Sequence, residues 1–146
     1  MKDDSKCEAS KVLVKLERTH RNLLEKSFMN LGIFSSQHRV LMYLSDRGEN
    51  LPSQKEIAET FDVSPAAVAV SLRKLEEAGY IQKKAFDKDN RVNNVSLTDK
   101  GKAVAEKTMV EVKNISESIF SNMTDEETEQ FTALMTKVLT SVNNLK

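Results

Sequence analysis

Two short helical segments, each with its own start signal, follow one another between Ser53 and Gly79. Ser53 opens a capping box, in which its hydroxyl oxygen accepts from the backbone N–H of Glu56 and the glutamate side chain reaches back. Ser64 caps the second segment, and Pro65 stands at the first helical position, where no backbone N–H is needed. The stretch therefore predicts two short helices that are joined by the tight turn "FDVS".

The spacing of apolar residues changes after this pair of helices. "YIQKKAF" and "NNVSL" are typical of short strands, and the polar residues 87–93 form the tip between them. Elsewhere apolar residues recur at three- and four-residue steps, which predicts helices. These run from about residue 10 to 31, from a cap at Ser35 or Ser36 to Gly48, from a cap at Thr98 to about residue 122, and onward from a second capping box at Thr124. The predicted fold class is therefore mainly α with a small β-hairpin wing.

Composition places the chain among globular proteins of a single domain. It has 146 residues, of which 39% are hydrophobic. The polar start "MKDDSKCEAS" predicts no signal peptide, and no run approaches the roughly 20 apolar residues of a membrane span. The single cysteine, Cys7, has no internal partner for a disulfide, which fits a reducing cytoplasm.

The formal net charge is zero, but the charges are unevenly distributed along the chain. Residues 73–102 hold eight basic and five acidic side chains, whereas residues 103–146 hold four basic and seven acidic ones. A basic centre followed by an acidic C-terminal part fits a polyanion-binding region that acidic helices support.

Two short helices followed by a hairpin with a basic tip form a winged helix-turn-helix, and its parts suit double-stranded DNA. One helix fits the major groove, and the N-terminus of a helix offers free N–H groups to phosphate. Lys88 and Arg91 at the hairpin tip can reach the neighbouring minor groove, whose negative potential attracts arginine. The alternative from another functional class is a winged helix that assembles proteins without binding DNA.

Three stretches resemble the MarR (multiple antibiotic resistance regulator) family of transcription factors: "SSQHRVLMYL", "SQKEIAETFDVSPAAVAVSLRKLEEAGYI" and "FDKDNRVNNVSLTDKG". The most specific features are Asp87, Asp89 and Arg91 in the wing and the "SLTDKG" that follows it. The resemblance implies a homodimeric repressor that binds a palindromic operator and is released by a small-molecule effector. It implies a DNA-binding lobe at residues 33–100, dimerisation helices at residues 8–32 and 101–146, and a role for Asp89 in orienting Arg91.

The second short helix departs from what members of this family often show. Val68, Leu72 and Leu75 are predicted to face inward, and the outer side carries alanine and valine in place of serine, threonine and arginine. Such side chains contact thymine methyl groups and let the backbone approach closely, so A/T-rich half-sites are the hypothesis. Another protein surface is the alternative partner of this face. The predicted DNA-binding residues are Ser53, Gln54, Ser64, Pro65, Ala66, Ala67, Ala69, Val70, Arg73, Lys74, Lys88, Asp89 and Arg91.

Apolar faces at both ends of the chain predict a homodimer independently. They are too broad for a winged-helix core to cover, and a symmetric dimer would bury them while doubling the contacts with DNA. Half-sites would then lie about one turn of DNA, ~34–36 Å, apart. Folding back onto the same chain is the alternative. The predicted dimerisation residues are Val12, Leu16, Phe131, Leu134, Val138, Leu139 and Val142.

The resemblance also implies an effector cavity, because family members often bind small aromatic acids between the dimerisation helices and the DNA-binding lobe. The polar His20 interrupts the apolar side of the first helix, which makes it a candidate for the lining. An effector that prefers one spacing of the two lobes would move them away from the spacing of the half-sites. The predicted pocket residues are His20, Leu24, His38 and Arg39.

Other chemistries find little support in the sequence. Cys7 invites a redox interpretation, because one branch of the MarR family senses hydroperoxides through an N-terminal cysteine assisted by tyrosines. Here Tyr43 and Tyr80 both lie outside the first helix, so a surface thiol in a frayed tail is the default. The two histidines lack the further ligands of a zinc site, and no metal or cofactor is predicted. No phosphate-binding glycine loop or paired nucleophile and base indicates an enzyme.

Overall fold

The computed structural model describes residues 2–85 and 93–146 and is mainly helical. The elements are α1 (Lys2–Asn30), α2 (Ser35–Arg47), α3 (Gln54–Phe61), α4 (Pro65–Glu77), β1 (Ile81–Ala85), β2 (Asn93–Leu97), α5 (Asp99–Ile119) and α6 (Asp125–Asn144). The strands pair antiparallel, with Ile81 opposite Leu97. The predicted fold class, mainly α with one small hairpin, is confirmed.

The chain forms two compact units that divide within α5. The first unit is Met1–Val110 and the second is Glu111–Lys146. The predicted division into a lobe at residues 33–100 and flanking dimerisation helices concerns roles and stays a prediction. In the described part of the chain, no helix is both long enough and apolar enough to cross a membrane.

The core of the first unit is built from one side of each short helix. Val40, Leu41 and Leu44 face inward from α2, as their spacing predicts. Ile57 of α3 is buried as well, and the strands add the buried Ile81 and Val95. From α1 and the turn after it, Phe28 and Ile33 are also buried. These apolar contacts hold the helix pair and the hairpin together.

Local capping explains where α3 and α4 begin. The hydroxyl of Ser53 accepts from the backbone N–H of Glu56 at 3.1 Å, and that of Ser64 accepts from Ala67 at the same distance. Between the two helices Asp62 adopts a left-handed backbone with φ of 52°, which ends α3 and lets the chain turn. The predicted turn and both serine caps are therefore confirmed.

Four local predictions needed correction. Helix α1 begins at Lys2, eight residues earlier than expected, so Cys7 is exposed on a helix and not in a frayed tail. Phe34, and not a serine, is the N-cap of α2, because the Gln37 side chain accepts from its backbone N–H.

The carboxylate of Glu56 is directed to Arg47 of α2 and not back to the cap. Helix α5 ends at Ile119, three residues before the predicted end.

The "SLTDKG" segment fastens the start of α5 to the end of α4. Thr98 caps α5 by accepting from the backbone N–H of Gly101, and the same hydroxyl donates to the carbonyl of Gly79. Lys100 Nζ donates to the carbonyl of Ala78 at 2.8 Å. A Cβ on Gly101 would lie 1.9 Å from the carbonyl oxygen of Tyr80, so only glycine fits there. These contacts fix the position at which α4, the second helix of the helix-turn-helix, ends.

The second unit leaves the apolar stripe of α6 largely uncovered. The predicted capping box is confirmed, because Thr124 and Glu127 exchange backbone-to-side-chain hydrogen bonds. Phe131 is half-buried beside Phe120, with ring centroids 6.1 Å apart. No residue of α6 is buried in the single chain, and Val138 is 47% exposed. A stripe of this kind requires a further partner or remains in contact with water.

Candidate nucleic-acid interface

Helix α4 divides its side chains as the sequence predicts. Val68, Leu72 and Leu75 are buried in the core of the first unit. The opposite side of the helix presents small uncharged side chains near its start and basic ones further along. Ala66, Ala67, Val70, Arg73 and Lys74 are exposed, and Ala69 is half-exposed. The nine uncharged residues from Val63 to Ser71 therefore supply both a core face and an open surface.

The start of α4 is an open helix terminus. Ser64 and Pro65 are exposed. Ser64 Oγ accepts a hydrogen bond from the backbone N–H of Ala67 in the first turn of the helix. Ser53 and Gln54, which begin α3, are half-exposed. Backbone N–H groups at such positions, together with the positive end of the helix dipole, favour an anionic partner.

The hairpin is joined to α3 through a short third strand-like segment. Ser53 forms an isolated antiparallel bridge with Asn94, and the backbone N–H of Val95 donates to the carbonyl of Pro52 at 3.0 Å. The base of the wing is thereby tied to the helix pair. The predicted DNA-binding residues of the wing tip, Lys88, Asp89 and Arg91, lie outside the described residues.

The four residues predicted to line an effector cavity are not brought to one place. His38 points toward α1, where its ring stacks on Phe28 with centroids 4.4 Å apart. Arg39, the next residue, lies on another side of α2, with its guanidinium 4.4 Å from the Phe61 ring of α3. His20 is exposed and Leu24 is half-exposed on α1. His38 and Arg39 therefore face different elements, α1 and α3.

Burial lowers the pKa of His38 below its ordinary value of 6.5. Its Nδ1 atom is buried and has no hydrogen-bond partner in the part of the chain that the structure describes. The folded state therefore favours the neutral ring, and the unfolded chain takes up the proton first as the pH falls. The stability that this group contributes is complete above its unfolded pKa and is lost on acidification.

We expect the urea concentration at the unfolding midpoint to be lower at about pH 5.5 than at about pH 7.5. The decrease should be smaller in His38→Phe. Phenylalanine keeps a ring against Phe28 but removes the titrating group. The measurement is urea unfolding at both pH values and equal protein concentration. His20→Gln, which removes the other histidine from an exposed site, is the control. An identical pH dependence in His38→Phe and the unmodified protein would contradict the assignment.

A polar face of α2 was not predicted as a whole, although the spacing of its residues indicates it. Ser36, Arg39, Tyr43 and Arg47 recur at three- and four-residue steps and lie on the side that meets α3. Arg47 donates to Glu56 at 2.9 Å, to the Asn50 carbonyl at 2.8 Å and to the Tyr43 hydroxyl at 3.1 Å. Of these four residues only Arg39 was predicted as a site residue, and it was assigned to the effector cavity. The same three- and four-residue spacing that reveals the buried face of α2 also reveals this polar face.

The histidine, cysteine and acidic side chains of the described residues are the candidates for metal binding and redox chemistry. No group of three or more histidine, cysteine or acidic side chains in those residues could hold a metal ion. Cys7 is exposed on α1. The surface-thiol interpretation of Cys7 stays a prediction.

Comparison with known proteins decides the family. The sequence model of the MarR family matches residues 31–91. The transcriptional regulator ZitR of Lactococcus lactis is 32% identical over 131 residues, which cover 83% of this chain and 86% of ZitR. The chain belongs to the MarR family of transcription regulators.

Two further similarities accompany this assignment. The transcriptional repressor MdtR of Bacillus subtilis is 33% identical over 113 residues, covering 77% of this chain and 72% of MdtR. The crystal structure of the Staphylococcus aureus MepR–DNA complex matches with a TM-score of 0.79 at 24% identity and covers 92% of this chain and 97% of that chain. The second likeness shows the fold, and the winged-helix assignment is confirmed. Because the MarR family consists of transcription regulators, the expectation that this chain is not an enzyme is also confirmed.

Proposed function

We propose that this MarR-family regulator is a homodimeric repressor that binds a palindromic DNA operator through α4 and the wing. The observation that carries the proposal is the exposed, uncharged surface of α4, which begins at an open helix terminus. A surface of small side chains admits close approach to the floor of a major groove. Ser64 and Pro65 at the terminus would lie beside phosphate, and Arg73 and Lys74 would follow on the same helix.

Similar proteins support the finer parts of this proposal. MdtR is named as a repressor, and so is YetL of Bacillus subtilis, which is 24% identical over 123 residues. MepR, which shares the fold, has been crystallised with DNA. Repression by a dimer requires two copies of α4 in successive major grooves, with half-sites about one helical turn apart. Arg91 of each copy would enter a flanking minor groove, oriented by Asp89.

We also propose that an effector releases the DNA, but we assign only three of the four predicted pocket residues to its cavity. His20, Leu24 and His38 would line a cavity near α1, whereas Arg39 lies on the side of α2 that meets α3. A small aromatic ligand would act by favouring one spacing of the two DNA-binding lobes. We propose a cytoplasmic location, because the DNA of a bacterial relative lies in that compartment.

The direct test is a footprint of the purified protein on the DNA upstream of its own gene. Protection of an A/T-rich palindrome is expected, because alanine and valine on α4 contact thymine methyl groups. Protection of a G/C-rich palindrome would overturn this interpretation of α4. The absence of any gel shift, even at low salt, would overturn DNA binding and favour a protein-assembly module.

Arg91→Ala should weaken binding to the protected site by about 10-fold to 100-fold, since a minor-groove arginine contributes both charge and hydrogen bonds. Binding is measured by fluorescence anisotropy with a labelled duplex. Arg21→Ala removes the same charge from an exposed position on α1, where Arg21 pairs with Glu17 at 3.3 Å, and serves as the control. Equal affinities for the two variants would show that Arg91 has no specific role.

A further inference from the structure

Two arginines on one side of α2 have opposite surroundings. Each of the three guanidinium nitrogens of Arg47 donates to a protein group: to the Asn50 carbonyl, the Tyr43 hydroxyl and the Glu56 carboxylate. It therefore joins α2 to α3 and has little capacity left for an outside partner. Arg39, two turns earlier, has a different environment and is exposed.

The guanidinium of Arg39 is held in place without being neutralised. It stacks over the Phe61 ring at 4.4 Å. Within the described residues it makes no hydrogen bond and no ion pair with a carboxylate. Stacking occupies the face of a guanidinium and leaves its N–H edges free to donate. Arg39 is therefore an exposed, preoriented cation whose N–H donors have no partner among the described residues.

A groove between α2, α3 and α4 places this cation beside the proposed DNA-reading surface. Its lining includes Ser36 and Arg39 of α2, Phe61 of α3, and Ala67 and Ser71 of α4. The groove has a volume of about 220 Å³, which is below the roughly 300–1,000 Å³ of pockets that enclose small ligands. A partner of Arg39 would therefore lie mostly outside the groove. Ala67 belongs both to this lining and to the exposed surface of α4.

We propose that Arg39, supported by Phe61, binds a backbone phosphate of the DNA next to the groove that α4 enters. This inference rests on the DNA-binding function proposed above. The planar fork of an arginine matches the oxygens of a phosphate, and a duplex held against Ala67 brings its backbone past the mouth of the groove. Ser36, which lines the same groove, offers a hydroxyl to the same phosphate. Arg39 is thereby reassigned from the effector cavity to the DNA interface.

The test is the salt dependence of binding to a random-sequence duplex, because phosphate contacts do not depend on base sequence. Arg39→Ala should weaken binding by about 10-fold at low salt and lower the slope of log affinity against log salt by about 0.9, the value for one lost phosphate contact. Arg39→Lys should retain the slope and recover part of the affinity, since lysine keeps the charge and lacks the fork. Arg21→Ala, with the same change in net charge, should retain both affinity and slope.

A second variant separates placement from charge. Phe61→Leu keeps Arg39 but removes the ring that orients it, so affinity should fall by a few-fold while the salt slope is nearly retained. Thermal unfolding establishes that each variant is folded, and the exposed position of Arg39 makes Arg39→Ala the decisive one.

If Arg39→Ala retains the affinity and the slope of the unmodified protein, the inference is wrong and DNA binding stands. If Arg21→Ala loses as much as Arg39→Ala, the effect is one of net charge and the inference is equally wrong. If the unmodified protein binds no duplex at low salt, the proposed function fails and this inference fails with it.

Discussion

Gly101→Ala is expected to destabilise the protein by about 3 kcal/mol, near the upper end of what overpacking costs. An added Cβ would lie 1.9 Å from the carbonyl oxygen of Tyr80 and 2.8 Å from its carbonyl carbon. Helix propensity alone predicts the opposite, because alanine inside a helix is favoured over glycine by about 1 kcal/mol. The clash outweighs the propensity, since the obstructing atoms belong to the backbone and no side-chain rotation removes them.

Neighbouring contacts prevent the backbone at Tyr80 from moving away. Its carbonyl accepts from the backbone N–H of Thr98 at 3.0 Å. The Thr98 hydroxyl donates to the Gly79 carbonyl and accepts from the Gly101 backbone N–H. The Lys100 ammonium donates to the Ala78 carbonyl and lies 5.2 Å from the centre of the Tyr80 ring. Displacing Gly101 would strain these contacts together and shift the end of α4.

Urea unfolding at a fixed protein concentration measures the change in the free energy of unfolding. Lys102→Ala, at an exposed position in the same turn of α5, should change it by less than about 0.5 kcal/mol. A Gly101→Ala variant as stable as the unmodified protein would mean that α5 does not approach Tyr80 this closely. The result bears on the fold of the first unit and is independent of DNA.

Val138→Glu is expected to abolish the proposed dimer at working concentrations. Val138 lies at the centre of the apolar stripe of α6 and is 47% exposed in the single chain. In a symmetric dimer each copy would bury one unpaired carboxylate, which costs several kcal/mol. The dissociation constant of the dimer should therefore rise by at least about 100-fold. DNA affinity should fall strongly as well, because a monomer contacts only one half-site.

Light scattering coupled to size-exclusion chromatography measures the oligomeric state, and anisotropy measures DNA binding. Thr140→Glu is the matched control, since it adds the same charge to an exposed position on the opposite side of α6. A dimer that survives Val138→Glu would place the interface elsewhere. A protein that is monomeric without any substitution would overturn the homodimer itself.

Most of the fold could be predicted from the sequence, because its signals are local. Ser53, Ser64, Thr98 and Thr124 each cap a helix by accepting from a backbone N–H three residues further on, so four of the five predicted caps are present. The hairpin and the buried face of α4 could also be predicted, because the spacing of apolar residues along the chain indicates both. The α2 cap was predicted wrongly because Phe34 has no cap-forming side chain, and Gln37 satisfies the free N–H instead. The sequence therefore predicted correctly which side of α4 is buried and which is exposed. The DNA-binding role of that surface, the roles of the wing residues and the dimer stay predictions.

The sequence by itself determined where α3, α4, α5 and α6 begin, which helix faces are apolar, and that a hairpin follows a helix pair. These properties depend on contacts within a few residues, so they are present in the order of the amino acids. Only the tertiary structure decided that His38 stacks on α1 while its neighbour Arg39 turns to α3, and that Gly101 touches the backbone of Tyr80. Adjacent residues on a helix point in directions about 100° apart, and the sequence does not state which neighbouring element each direction meets. That choice is made by packing between elements that are distant along the chain.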